Sequence, residues 1–306
     1  MILKKYLIQL YYSIIYYIPG LIREILFHLT EKNSIVLTGF LDFKWGKWHK
    51  SNWGDDLNVY FAQNLFSKKI INYETSILSW LFHRTNYTMI GSMLHVANRN
   101  TIVWGTGMLA EDMYPKEAPK KILAVRGKLT REALIKKGYD CPEVFGDPAL
   151  LLPYFYQPSK EKKYRVGIVP HMYDEDNPII HEWLAKNLDC CLISMKHYSR
   201  KFEIVDKIVS CEFIISSSLH GIIISDAYHI PNVWVEFSDR VVGNGFKFRD
   251  YFSSVKRDIH TPKTINILTD IDILSNNKHK KEAIDIDLKP LINSCPFSFS
   301  NKLLFL

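Results

Sequence analysis

The stretch from Phe213 to Phe237 constrains the fold of this chain more than any other. Phe213-Ile214-Ile215 is a short, β-branched apolar run, Ser216-Ser217-Ser218 sets three hydroxyls in a row, and Leu219 to Tyr228 is an apolar segment of helix length. Ile230-Pro231 then leads into a second apolar run, Val233-Trp234-Val235. An apolar run without alternation suits a strand buried on both faces, and the serines offer a helix N-cap. The order therefore reads strand, turn, helix, loop, strand, the repeating unit of a parallel sheet. Open α/β sheets gather ligands at the carboxyl ends of their strands. There the free N–H groups of the helix, with Ser216, Ser217 and Ser218, make an anion site. His220 falls on the first turn, where the positive end of the helix lowers an imidazole's pKa. An ordinary βαβ unit with a serine cap and a surface histidine carries the same residues.

Similar alternation recurs on both sides of one polar run, Gln157-Pro158-Ser159-Lys160-Glu161-Lys162-Lys163. With 306 residues, 47% of them hydrophobic and 13% aromatic, the chain has material for two cores. The expected division is an apolar N-terminal segment over 1–33, a first domain over 34–156, a linker over 157–163, a second domain over 164–260 and a helical extension over 261–306. The predicted class is α/β, with two Rossmann-like domains facing a cleft. The five cysteines are odd in number and lack metal-ligand spacing, so they read as buried free thiols of a reducing cytoplasm, and no metal site is predicted. The formal charge of +7 suits anionic small molecules, phosphorylated carriers or an acidic membrane surface. No basic stripe is interleaved with aromatics, and nucleic acid is not an expected partner.

Polar residues collect where the predicted strands end. Asn52-Trp53-Gly54-Asp55-Asp56 opens a helix; Asp55 or Asp56 caps it or, as a pair, supplies catalytic carboxylates, and Gly54 serves a positive φ or a close ligand approach. Gly105 belongs to the glycine-rich exit Trp104-Gly105-Thr106-Gly107, and Arg126 ends the strand Lys121 to Val125 as an anion-binding or surface arginine. Asp147 of Gly146-Asp147-Pro148-Ala149 holds either a sugar hydroxyl or a turn. Val169-Pro170-His171 ends another strand, so His171 shares a sheet edge with His220 if their strands are neighbours. Gly245-Phe246-Lys247-Phe248-Arg249 follows flexible glycines and offers two cations. After Arg257, Ile265, Leu268, Ile271 and Leu274 recur in a helix-like pattern before a lysine-rich loop at 276–281, and the end over 297–306 is apolar enough to pack back on the body.

Ser217-Ser218-Leu219-His220-Gly221, followed at helix length by Ile230-Pro231, resembles the polysaccharide pyruvyl transferases, in the form of their exopolysaccharide ketal-pyruvate branch. Asn52 to Asn58, Val103 to Gly107, Arg126-Gly127 with Thr130, Gly146 to Ala149, Val169 to His171 and Gly245 to Tyr251 match in family order, over roughly residues 35 to 257. Many members carry arginine where this chain has Ser218, so a cation must come from elsewhere. The resemblance implies a GT-B-like pair of domains and transfer of a pyruvyl group from phosphoenolpyruvate to a sugar as a ketal. It implies donor contacts from Ser216, Ser217, Ser218, Leu219, Gly221, Arg126, Lys247 and Arg249, proton transfer by His220 with His171 assisting, and an acceptor side with Asn52, Gly54, Asp55, Gly105 and Asp147. No cofactor is expected beyond the phosphoenolpyruvate donor, and transient Mg²⁺ stays compatible with the sequence.

Residues 1–30 place Lys4-Lys5 before a tyrosine-rich apolar run that is too short to span a bilayer and lacks a signal-peptide cleavage site. They read either as an interfacial segment that brings the enzyme to a lipid-linked acceptor at the inner face of the cytoplasmic membrane, or as a helix packed on the body. A nucleotide-sugar glycosyltransferase and a non-catalytic polysaccharide-assembly protein are the alternative functions.

Overall fold

Short β-branched runs between amphipathic helices give this chain parallel strands. The structure, a computed structural model, describes residues 2–30, 33–45, 47–265, 269–276 and 284–299. Helices α1 (Ile2–Tyr12) and α2 (Ile18–Thr30), joined by a π-helical turn, precede strand β1 (Ser34–Leu37). A hairpin, β2 (Asp42–Lys44) and β3 (Lys47–His49), leads to α3 (Trp53–Asn64), β4 (Lys69–Asn72), α4 (Ile77–Leu81), β5 (Asn86–Thr88), β6 (Thr101–Trp104), β7 (Lys121–Ala124) and α5 (Lys128–Lys136). The 3₁₀ segment Pro148–Tyr154 and the irregular stretch after it connect to β8 (Tyr164–Val169), α6 (Pro178–Lys186), β9 (Cys190–Leu192), α7 (Glu203–Val209), β10 (Cys211–Ser216), α8 (Leu219–Ala227) and β11 (Asn232–Glu236). Helix α9 (Phe246–Ser254), β12 (Lys263–Thr264), α10 (Ile271–Asn276) and α11 (Lys289–Asn293) complete the described elements.

Two five-stranded parallel sheets result, ordered β4-β1-β5-β6-β7 and β12-β11-β10-β8-β9. Counted within each sheet the order is the same, 2-1-3-4-5, the doubly wound pattern of two Rossmann-like domains. In such a sheet the connections leave in opposite directions from the first and third strands, and the crevice opens between those strands' carboxyl ends. The two crevices lie after β1 and β5, and after β8 and β10. Ser216 pairs with Val169, so the His220 and His171 strands are indeed neighbours.

Helix α8 is apolar on nearly every side and buried along its whole length. A helix of that kind has no solvent face, so it sits between elements: it packs on the second sheet, on α7 and on the Pro148–Tyr154 segment. The chain after residue 260 is less helical than its pattern suggests, because β12 extends the second sheet beside β11. Further on it crosses back to the first domain, where Trp104 Nε1 donates to the Leu291 carbonyl at 3.0 Å and the Phe297 ring packs, tilted, against those of Phe66 and Tyr87. Leu268, 277–281 of the lysine-rich loop and 300–306 of the apolar end lie outside the described residues. All five cysteines are free.

Candidate active site

The loops after β1, β5, β8 and β10 converge on one cavity of about 370 Å³, within the roughly 300–1,000 Å³ range of small-molecule pockets. Both sheets thus present their switch points to the same space.

On the first domain, Asn52 caps α3: its Oδ1 accepts the Gly54 N–H at 2.9 Å. The adjacent carboxylates separate by role. Asp56 accepts from the Ser51 N–H (2.7 Å), Trp48 Nε1 (3.1 Å) and the Tyr198 hydroxyl (2.5 Å). Asp55, about 100° further round the helix, faces the cavity with no hydrogen bond to its carboxylate among the described residues. Burial, then the charge of Asp56, pushes its pKa up to about 7, against a downward pull from Lys247. Trp53 fastens this corner to the other domain, its N–H donating to the Met195 carbonyl (2.8 Å) and its Nε1 to that of Lys201 (2.6 Å).

Across the cavity Ser218 is the N-cap of α8 without a side-chain cap bond, so its hydroxyl stays available. His220 follows with its Nε2 buried and unpartnered. Its ring lies against α3, where a Cβ placed on Gly54 would come within 2.0 Å of Nδ1. Gly54 is therefore the gap into which His220 fits, with neither a positive φ nor a ligand contact required of it. Burial and the nearby cations Lys247 and Arg126 push the His220 pKa down to about 3, in the direction expected from sequence but with desolvation as the leading cause. His171 also lines the cavity, and burial followed by Lys247 lowers its pKa to about 4. Lys247, 7% exposed, enters on α9, and burial with Arg126 brings its ammonium down to about 8. It makes no hydrogen bond or ion pair among the described residues. Of the two cations expected near Ser218, Lys247 and Arg249, Lys247 is the one in the cavity lining.

Other predicted site residues stand around the cavity rather than in it. Arg126 is fully buried, paired with Asp250 at 2.8 Å and bonded to Ser92 Oγ (2.7 Å) and the Met108 carbonyl (2.7 Å). Asp250 also accepts from the Thr130 N–H and hydroxyl, each at 2.7 Å, and a Cβ on Gly127 would strike the Asp250 carbonyl at 1.8 Å. The Arg126-Gly127-Thr130 and Lys247-to-Asp250 motifs are thus two halves of one clasp between the domains. Arg249 turns outward to the Asn244 carbonyl (2.7 Å). Ser216 bonds the Ser218 N–H (3.0 Å), and Ser217 Oγ accepts the His171 N–H (2.8 Å), so both shape the strand ends. Gly221 gives room to Ser216 Oγ and Val169, and Gly105 (φ +90°) gives room to Pro148. Asp147 holds turns, accepting from the Ala149 and Gly91 N–H groups at 3.0 and 3.3 Å. Leu219 and Asn52 do line the cavity.

Sequence reasoning missed Ser92, Phe40, Met172 and Tyr173 in the lining. Ser92 had a readable signal, since it follows Gly91 (φ +99°) at a strand exit like the others. The remaining three are loop residues without one. Among the described residues no group of His, Cys, Asp and Glu is arranged to hold a metal.

A profile of the family described as polysaccharide pyruvyl transferase matches residues 48–239. The chain is 30% identical over 251 residues to Uncharacterized protein L143 of Acanthamoeba polyphaga mimivirus, covering 79% of this chain and 84% of that one. It is 29% identical over 216 residues to Succinoglycan biosynthesis protein ExoV of Rhizobium meliloti (strain 1021), covering 68% of this chain and 63% of ExoV, which is less than two thirds of that protein. No solved structure matches the chain. The matched span runs from β3 to just past β11, and so includes Asp55, His171, Ser218 and His220. The chain belongs to the polysaccharide pyruvyl transferase family.

Proposed function

We propose that this protein transfers the pyruvyl group of phosphoenolpyruvate to a sugar of a cell-surface polysaccharide, or of its lipid-linked repeat unit, as a cyclic ketal. The observation that carries the reading is the trio around the cavity: Lys247, His220 and Asp55 offer a cation, an imidazole and a carboxyl group with a pKa near neutrality. The reaction needs those three capabilities.

The donor is a phosphate and a carboxylate on an enol carbon. Lys247, the Ser218 hydroxyl and the start of α8 suit its anionic groups, and buried Arg126 adds positive potential from below. Carbon 3 must gain a proton to become a methyl group. A sugar hydroxyl then adds to carbon 2, the phosphate leaves with its C–O bond, and a second hydroxyl closes the ketal. Of the two hydroxyl protons released, one balances the proton gained at carbon 3 and the other departs with phosphate. His220 is neutral in the empty site because it is buried and because Lys247 and Arg126 lie near it. A bound donor offsets those charges and raises its pKa, so the imidazole becomes the acid for carbon 3 when substrate is present. Asp55, on the acceptor side, takes the hydroxyl proton; its pKa near 7 lets it accept and release that proton at neutral pH. His171 is a phosphate contact on the same edge.

Thermal shift tests the donor directly. Ligand at a hundred times its dissociation constant adds about 2.7 kcal/mol of apparent stability. Phosphoenolpyruvate is expected to stabilise the protein, and Lys247→Ala to abolish the shift. Stabilisation by nucleotide-sugars with none from phosphoenolpyruvate would overturn the proposal in favour of glycosyl transfer.

A further inference from the structure

The N-terminal helices carry apolar side chains that the body of the protein leaves open. Leu7, Ile8, Leu10, Tyr11, Tyr12 and Ile14 are each between 44% and 58% exposed. At 100° per residue they sweep an apolar arc of roughly 200° around α1. Gln9 and Ser13, one turn apart, form a narrow polar line that Lys5 continues in the sequence. The same exposed surface runs on through Ile18 and Ile22 of α2. Tyr17 packs edge-on against Trp80 with ring centroids 5.5 Å apart, and Trp80, Leu81 and Phe82 at the end of α4 are 39%, 66% and 67% exposed. Trp45, at the hairpin tip and 58% exposed, donates its N–H to the Ile15 carbonyl at 2.7 Å.

This surface is fixed to the first domain. Glu24, 1% exposed, accepts from Ser76 Oγ (2.5 Å) and Ser79 Oγ (3.2 Å) and pairs with Arg84 at 2.7 Å. Gly20 sits so close to the Thr75 carbonyl that a Cβ would come within 2.9 Å of it. Helix α2 therefore holds α1 in a set direction.

From this geometry we infer that α1, the exposed edge of α2, the end of α4 and Trp45 form one face that lies in the interfacial layer of a bilayer carrying anionic lipid. A second protein copy covers one side of a helix. An arc of 200° with tyrosines along it and Trp45 and Trp80 beside its continuation is covered by a medium that surrounds it, and Tyr and Trp are the residues that settle at headgroup depth. The sequence sets Lys4-Lys5 just before this apolar run and Lys47 two residues after Trp45, and the formal charge is +7, a composition that suits an anionic surface. The face lies on the membrane rather than through it, since no described helix is long and apolar enough to cross.

The test is flotation of the full chain with vesicles of phosphatidylcholine alone or with about one third phosphatidylglycerol. Binding to the anionic vesicles is expected, weaker to neutral ones by on the order of tenfold. Leu10→Glu with Ile14→Glu, both exposed and so without cost to the fold, is expected to abolish it, and Leu81→Glu with Phe82→Glu to weaken it independently. Leu188→Glu, at a leucine 94% exposed on the second domain, leaves it unchanged. Absence of flotation, or flotation that survives the Leu10 and Ile14 substitutions, overturns the inference. So does a dimer in light scattering that these substitutions dissociate while vesicles capture nothing.

Discussion

At the residue scale the site works by uneven burial of charge. Asp55 and Lys247 titrate toward each other, at about 7 and about 8 in the free protein, so kcat/KM for pyruvyl transfer is expected to follow a narrow bell. It rises as Asp55 loses its proton and falls as Lys247 loses its charge. Lys247→Arg keeps the charge and should move the alkaline limb outward; Lys247→Gln should raise the donor KM by roughly ten- to a hundredfold, for a charge-assisted contact worth about 1.5–3 kcal/mol. Asp55 also leaves a mark on stability. Its folded pKa lies above the unfolded value of 3.8, so the native state binds more protons between these values and stability falls as pH rises through that window. Asp55→Asn should therefore be the more stable protein at pH 8 by roughly 1–3 kcal/mol, discounted because the carboxylate opens on the cavity, with the gain vanishing near pH 4; denaturant melts at the two pH values check it. Gly54→Ala would drive a methyl group into the His220 ring, and a loss of activity with little change in melting temperature would distinguish this from a folding defect.

At the element scale, α9 delivers Lys247 while the clasp of Arg126, Thr130 and Asp250 holds α9 against α5. Removing one partner of a fully buried ion pair leaves the other uncompensated, so Asp250→Ala is expected to cost about 3–5 kcal/mol in chemical denaturation. Sequence made the helices and strands here readable through periodicity and capping, and α8 was expected over nearly the residues it occupies. The clasp was not readable. Arg126 and Asp250 lie on different domains, and a strand-end arginine facing a ligand looks, in one dimension, the same as one facing a buried aspartate. The Asp55-Asp56 pair posed a similar ambiguity, which the turn of α3 resolved by sending Asp56 to Tyr198 and Asp55 to the cavity.

At the scale of the whole molecule, two sheets of identical strand order meet so that their switch points share one cavity, and the chain ties them together from its far end. Leu291, fully buried beside Trp104, belongs to the segment that returns to the first domain. Leu291→Ala is expected to lower stability by about 2–5 kcal/mol, visible as an earlier unfolding midpoint. The N-terminal helices are joined to the same domain by Glu24, a carboxylate that in sequence looked like one more charge on an amphipathic segment.

The sequence by itself determined the class of fold and the residues that end strands. A parallel strand is an unbroken apolar run and a helix start carries its own cap, so both are properties of neighbouring residues. It also carried the family resemblance in the order of its motifs. Tertiary structure alone decided which of the polar strand-end residues face the cavity and which are spent on the scaffold. Burial and charge at Asp55, His220 and Lys247 are sums over groups far apart in the chain. No local pattern encodes them, because desolvation depends on what packs across a cleft between two domains.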